Sequence, residues 1–393
     1  MLPRLDIISP LLPTRPLVGG SAHIVGAARQ LARSYAVRLF ALAPDPAAPP
    51  DPALAACAEV HVVARGRPRG AWLLPPAVRL DRSAALADLL CRAWAQARPE
   101  LVQIEFTTMA QYARLARATG AAVVCTAHNA GFLAQVRRAR RERDPRRAAR
   151  RWAGALSLWA FERRALRDCD LVVAHSPADA AALRRWLPGV PVVYLPSGVD
   201  LEERPVLFDP RAADEVLFVG SFQHPPNVEG ALWMAREVWP LVRAARPTAR
   251  LTLAGRGPGP EVRALAAFDV RVPGTLDDLR PLYAQASLLA APIFWGGGVR
   301  VKILDALAHG LPLVTTPAAA EGIPLRDGES ALFAETPAAF AAAVLRLLDD
   351  AALRARLGAA GRALVEQRYD WERIGRRLRG LYAGLRQAED RAW

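Results

Sequence analysis

The feature that most restricts how this chain can fold runs its whole length: short, nearly continuous apolar runs alternate with stretches of helical periodicity. In the first half the runs are "LDIIS", "AVRLFAL", "EVHVV", "LVQIEF", "AAVVCTA", "DLVVAHS" and "VPVVYLP". Unbroken Val/Ile/Leu character marks strands buried on both faces, and alternation with helices implies a parallel sheet. At 198–213 the rhythm lapses into "GVDLEERPVLFDPRAA", polar, proline-containing and aperiodic, as in a linker. It restarts with "EVLFVGS", "ARLTLAG", "VRVPG", "ASLLAAPI" and "PLVTT", with helices predicted to begin near Asn227, Pro260, Asp277 and Gly298. Residues 336–390 read as helical throughout. A chain of 393 residues exceeds the ~250–300 at which single cores stop growing. The pattern therefore predicts two doubly wound α/β domains in tandem, with ligands at the carboxyl edges of the strands.

Composition narrows the setting. Hydrophobic residues at 52% and charged residues at 23% are ordinary for a globular chain. Cys57, Cys91, Cys125 and Cys169 form no C-x-x-C pair, and no His/Cys cluster stands in the sequence. That argues against a disulfide framework or a zinc site and for a reducing compartment. "MLPRLDIISP" lacks a basic head followed by an apolar core, and no uncharged apolar run reaches ~18 residues, so the expectation is a cytoplasmic protein without a signal peptide or membrane span.

The formal net charge is +14, and of the 52 basic residues only Lys302 is a lysine. Such a skew fits a GC-rich coding bias, so most arginines need no functional account. One segment is concentrated: "RRARRERDPRRAARR", 137–151, followed by Trp152, Leu156 and Trp159 at helical spacing. Residues 137–159 suit an anionic membrane surface; a solvated arginine-rich helix face is the alternative. Nucleic acid is not expected as a partner, because no base-reading motif accompanies the arginines.

The sole lysine lies in "FWGGGVRVKILDALAHG", 294–310, where Gly296, Gly297 and Gly298 form a strand-to-helix turn. Backbone N–H groups at a helix start, reached through glycines, bind anions. Arg300 and Lys302 stand where the helix dipole prefers carboxylates by ~0.3–1 kcal/mol, and a bound diphosphate would reverse that penalty. Asp305, three residues after Lys302, either faces the same ligand or simply pairs with the lysine. Val301 stands where a P-loop needs glycine, so the motif is not a P-loop. Schiff-base chemistry at Lys302 stays open, although nothing else points to pyridoxal phosphate. "AGRGPGPE", 254–261, misses the third glycine of a dinucleotide fingerprint; Pro260 suits a first helical position instead. His128 and Asn129, His224, and Glu321 follow predicted strands, and Gly19 and Gly20 precede His23 in the first strand-to-helix loop. Asn129 and Asp277 also read as helix caps. No metal site is expected; "LDD" at 276–278 is not a convincing metal-binding pair.

These residues carry a resemblance. "VLFVGSFQHPPNVEGALWMAREVWPLVRAARP", "VPGTLDDLRPLYAQASLLAAPIFWGGGVRVKILDALAHGLPLVTTPAAAEGI" and "DGESALF" resemble the family 4 retaining glycosyltransferases, in particular a bacterial branch with a G-x-G-x-R-x-K-x-L-[ED]-A pattern. "VQIEFTTMAQYAR", "TAHN" and "PSGVD" agree in order and spacing. The resemblance implies the GT-B architecture, two Rossmann-like domains facing across a cleft. Residues 1–197 would take the acceptor, 198–213 link, 214–375 bind the nucleotide-sugar, and 376–393 cross back to the first domain.

It further implies transfer of a sugar from a nucleoside diphosphate sugar to an acceptor hydroxyl with retention, independent of metal and without a cofactor. The acceptor would be a glycan or a lipid-linked molecule of the cell envelope, met in the cytoplasm or at the inner face of the membrane. Arg300 and Lys302 would stabilise the departing diphosphate and His128 would lie near the transferred sugar. Gly220, His224, Gly297, Gly298, Val299, Asp305, Glu321 and Gly322 would form the donor side, and Gly19, Gly20, His23 and Glu105 the acceptor side. Asp305 matches the second acid of the family's paired-acid motif, whose first acid is replaced by Gly297; the usual Arg and Lys after the strand are replaced by "SFQHPPN" at 221–227. The alternatives are a degenerate GT-B module serving as a partner subunit and a nucleotide-sugar epimerase.

Overall fold

A computed structural model describes residues 2–15, 19–47, 49–66, 74–209 and 214–390. Part of the predicted linker, 210–213, lies outside the described residues. By contacts the chain divides into two compact units. One comprises residues 1–198, 297–299 and 371–393, the other residues 199–296 and 300–370.

Among the described residues the first unit holds seven parallel strands: β1 (Arg4–Ser9), β2 (Ala36–Ala43), β3 (Glu59–Ala64), β4 (Leu101–Glu105), β5 (Ala122–Ala127), β6 (Leu171–Ala174) and β7 (Val192–Tyr194). Their spatial order is β3-β2-β1-β4-β5-β6-β7. All seven predicted apolar runs become strands, and all but the edge strand β3, which is partly exposed, have buried residues on both faces or toward the core. Along β5, Val123, Cys125 and Ala127 enter one core with Trp94 and Leu90. Ala122 and Val124 enter the other with Ile24, Trp371 and Tyr382. The helix Trp371–Asp390 belongs to this second layer. Its Trp371 fills the space beside Gly26 and Gly198, where an added Cβ would fall within 2.1 Å and 2.3 Å of the indole. Glu372 fixes the same helix to its neighbour, accepting from Gln30 Nε2 at 3.1 Å and Arg33 Nη1 at 2.7 Å.

One polar group sits deep in this unit. Arg38 donates through Nε and Nη2 to the two oxygens of Asp6, each at 2.7 Å, and Trp94 Nε1 donates to Asp6 at 2.7 Å. Asp6 and Arg38 are both buried. Burial raises the Asp6 pKa, against the pull of Arg38.

Among its described residues the second unit holds six parallel strands, β8 (Glu215–Val219), β9 (Arg250–Ala254), β10 (Val270–Gly274), β11 (Leu288–Ala291), β12 (Leu313–Thr315) and β13 (Leu332–Phe333), in the order β10-β9-β8-β11-β12-β13. Five were legible as apolar runs; β13 has two residues, too few to show a pattern. Helices begin at Pro225, Pro260, Arg280 and Val301. Pro260 takes an early helical position as expected. Asp277 does not cap its helix: Asp278 accepts the Arg280 N–H at 2.9 Å instead. In each sheet the strand order reverses beside the first strand, between β1 and β4 and between β8 and β11. Ligands of doubly wound sheets settle at the carboxyl ends beside such a reversal.

Candidate functional site

In the second unit the reversal between β8 and β11 gathers Gly220, His224, Asn227 and Lys302. Gly220 leaves β8 and its N–H donates to Ala254 O at 3.0 Å. Gly255 has φ +147°, and a Cβ there would lie 1.8 Å from Gly220 O, so only glycine permits this approach. His224 precedes the helix Pro225–Trp233. Asn227, in its first turn, donates to Ser221 O at 2.7 Å and accepts from Lys302 Nζ at 2.6 Å. The ammonium lies 5.0 Å from the Phe218 ring centroid. A Cβ on Gly220 would stand 2.9 Å from Asn227 Cγ and 3.0 Å from Lys302 Nζ.

The electrostatics follow from this packing. Burial pulls the Lys302 pKa down to about 7, and the neighbouring Arg300 adds to the fall. Burial likewise lowers His224, with Lys302 contributing. The lysine's hydrogen-bond partner is a neutral amide rather than a carboxylate. The helix Val301–Ala308 carries no acid in its first turn and no side-chain cap. Arg300 turns back along the glycine loop, donating to Trp295 O at 3.3 Å. A Cβ on Gly296, at φ +132°, would fall 2.7 Å from the Arg300 guanidinium. Two cations and a glycine-bordered backbone thus converge where a helix begins, an arrangement that accepts an anion.

Asp305 does not pair with Lys302: its Oδ1 accepts from Arg204 Nε at 2.6 Å, and the lysine donates to Asn227 instead. This carboxylate is the largest influence raising Arg204. Sequence reasoning did not reach Arg204 because it lies 101 positions away. Glu321 and Gly322 occupy a turn after β12; Gly322 has φ +84° and its carbonyl accepts from Tyr369 Oη at 3.1 Å. Gly297, Gly298 and Val299 group by contacts with the first unit, and Gly298 has φ +72°.

In the first unit the reversal between β1 and β4 gathers Gly20, His23, Glu105 and His128. Glu105 ends β4, fully buried, and accepts from His128 Nε2 at 2.6 Å. The Phe106 ring stacks on the imidazole at 3.8 Å and 6°. Phe106 holds φ +67°, the one non-glycine residue in that region among those described. Backbone strain of ~1–3 kcal/mol persists only where surrounding packing compels it. Gly20 opens the helix Gly20–Leu31. A Cβ there would meet Phe106 Cζ at 2.6 Å and approach His128 Cε1 to 3.6 Å, which explains the glycine. Gly19, at φ +55°, precedes it without such a neighbour.

His23 is buried, its Nδ1 3.0 Å from Ser197 Oγ. It also meets a residue that sequence reasoning missed. His175 follows β6 and lies 4.2 Å from His23 by ring centroids, with Nδ1 donating to Leu195 O at 2.8 Å. A signal for it existed: β5 pairs with β6 so that Ala127 faces Ala174, which brings the next residues, His128 and His175, side by side. The sequence therefore shows no histidine cluster while the fold builds one. Burial depresses His23 well below the ordinary imidazole range and His175 to about 3.

Asn129 does not cap the following helix, Gly131–Arg140. Its first amides are taken by Glu162, accepting from Gly131 N at 3.0 Å and Phe132 N at 3.3 Å, and by Asp179, accepting from Ala130 N at 3.0 Å. Burial raises the Glu162 pKa to about 7 despite those bonds and the 2.6 Å bond from Thr107. The arginine-rich segment forms the end of this helix and the start of Pro145–Ala165, broken where Asp144 caps the second. Trp152 and Leu156 are exposed, whereas Trp159 packs against the core. Among the described residues, no helix is long and apolar enough to cross a membrane.

Known proteins bear on both units. A profile described as Glycosyltransferase Family 4 matches residues 18–203, and one described as Glycosyl transferases group 1 matches residues 213–350. A phosphatidyl-myo-inositol mannosyltransferase of Mycobacterium leprae is 31% identical over 51% of this chain and 56% of its own. The chain spans about half the length of the curated relatives it matches. Among solved structures, a sucrose-phosphate synthase of Thermosynechococcus elongatus has a TM-score of 0.76 at 19% identity, over 98% of this chain and 100% of that one. Anabaena HepE in complex with UDP and glucose has a TM-score of 0.70 at 13% identity, over 96% and 99%. The chain thus carries a family 4 glycosyltransferase domain followed by a group 1 glycosyltransferase domain, on two α/β units of the GT-B fold.

Proposed function

We propose that the chain moves a hexose-like unit from a nucleoside diphosphate sugar to an acceptor hydroxyl, with retention at the anomeric carbon, in making a cell-envelope glycan, polysaccharide or glycolipid. The observation that carries this reading is Lys302, its ammonium held between Gly220, Asn227 and the Phe218 ring at the start of a helix. In the reaction the acceptor oxygen bonds to the anomeric carbon and passes its proton to the departing diphosphate oxygen as the carbon–oxygen bond to the diphosphate breaks. Negative charge grows on that diphosphate, and Arg300 and Lys302 oppose it with no metal ion required. Fixed charges aimed where charge develops lower the barrier without reorganisation. His128, held by Glu105 and Phe106, presents its other ring edge to a sugar hydroxyl. A mannosyltransferase relative and HepE with bound UDP and glucose support the donor class.

The test is incubation with UDP-, GDP-, ADP- and dTDP-hexoses and candidate lipid-linked or glycan acceptors, with NMR of the product's anomeric centre. Product that requires an acceptor and keeps the donor's configuration supports the proposal; turnover of the donor sugar without an acceptor indicates an epimerase. Asp305, held by Arg204, and Gly297, in place of an acid, favour one other reading, a non-catalytic partner subunit. Nucleotide binding with no turnover of any donor would support it. We further place the enzyme in the cytoplasm at an anionic membrane surface through residues 137–159, where Trp152 and Leu156 stand exposed beside the arginines. Unchanged binding to anionic liposomes after neutralising 137–151 would defeat that placement.

A further inference from the structure

We infer that His23, His128 and His175 form a binding site for one imidazole-preferring divalent metal ion of the Zn²⁺ class. The three rings come from the first helix, the end of β5 and the end of β6, and one nitrogen of each lies within 4.8 Å of the others. Ring centroids are 4.2–5.2 Å apart, and the planes of His23 and His175 are each within 6° of perpendicular to that of His128 or tilted 54° to one another. Zinc–imidazole bonds of ~2.0–2.1 Å in a tetrahedron need nitrogens ~3.3 Å apart. Closing that gap takes side-chain rotations of under about 1 Å per ring.

The hydrogen bonds of the three rings make this more than proximity. His175 Nδ1 donates to the Leu195 carbonyl and His128 Nε2 to the Glu105 carboxylate, while His23 Nδ1 lies against Ser197 Oγ. Each ring thus has one nitrogen engaged by the protein and a second left for a ligand. Metal-bound histidines share this arrangement, the second nitrogen anchored to a carbonyl or carboxylate. His175 Nε2 is buried without a hydrogen-bond partner, an arrangement that a metal ion would satisfy. Burial that disfavours protonation of His23 and His175 also keeps their lone pairs available. His128 is the most accessible of the three, with 11% of its side chain exposed. A three-histidine set leaves a fourth position open on that side. An ion there would occupy the His128 nitrogen that the proposed transferase offers to sugar, so metal and sugar would compete.

The experiment uses the full chain after chelator treatment, titrated with Co²⁺ and followed by visible absorption, then with Zn²⁺ in competition. The expected result is one Co²⁺ per chain with the intense bands of a four-coordinate ion, displaced by one equivalent of Zn²⁺. His175→Phe and His23→Ala should each weaken Co²⁺ binding by about 100-fold or more. His224→Ala and His309→Ala should leave it unchanged. X-ray absorption of the wild-type Co²⁺ complex should show three imidazole nitrogens, a readout that needs no variant to fold. Absence of stoichiometric Co²⁺ binding, or binding retained in folded His175→Phe, would overturn the site. None of these readouts depends on transferase activity.

Discussion

If the lysine of the second unit serves a diphosphate, nucleotide binding must take up a proton. Burial, with Arg300 beside it, holds the Lys302 pKa down to about 7. A bound diphosphate, adding negative charge beside it, restores the ammonium. At pH 8 only about a tenth of the unliganded sites carry the proton, so binding should draw in ~0.9 proton per nucleotide. From pH 7 to 9 the competent fraction falls from about one half to about one hundredth, weakening the nucleotide about 50-fold, or ~2.3 kcal/mol. The assay is titration calorimetry with UDP, GDP and ADP at pH 7, 8 and 9, in buffers of differing ionisation enthalpy. The slope of heat against buffer enthalpy counts the protons. Lys302→Arg, charged throughout, should flatten the pH dependence, and Lys302→Met should abolish tight binding. Proton-free binding at pH 8, with unchanged affinity from pH 7 to 9, would refute the reasoning even if the nucleotide bound.

The same shift has a stability counterpart. Between about pH 7 and 10.5 the unfolded chain holds a proton at Lys302 that the folded chain lacks, so folding stability rises with pH across that window; Lys302→Met should stabilise the empty protein at pH 7 by a few kcal/mol, at most ~4, in chemical denaturation. Glu162, raised to about 7 from 4.5, binds a proton in the folded chain that the unfolded chain has lost, so stability falls from about pH 4.5 to 7. Glu162→Gln should remove that slope in the same measurement. Asp6→Ala should cost ~3–5 kcal/mol by stranding the buried Arg38 guanidinium, whereas Asp6→Leu combined with Arg38→Met should recover most of it. Gly20→Ala should drive Phe106 off His128 at a cost of ~1–3 kcal/mol, visible as a shifted His128 NMR signal.

Twelve of the thirteen strands among the described residues were legible because most are buried on both faces and so are apolar at nearly every position. The glycine turn and the cations at 296–302 were legible for a similar reason. A helix start, its dipole and its first side chains lie within one short stretch, so their conflict can be read residue by residue. Helix caps were less readable: Asp277 and Asn129 have the right chemistry at the right spacing, yet Asp278 lies nearer in one case and Glu162 reaches across from another helix in the second.

What stayed hidden depends on strand order. Asp6 meets Arg38 and His128 meets His175 because parallel pairing places distant strands side by side. Arg204 reaches Asp305, and Trp94 and His23 reach their partners, through helices and a connecting segment folded against one another. No local pattern ranks one arginine of 51 above another as the partner of a given acid. Periodicity and glycine placement follow from backbone and hydrophobic demands that each segment meets alone. The pairing of charges and the gathering of three imidazoles follow from strand register and from helices packed on the sheets, which exist only once the sheets have formed.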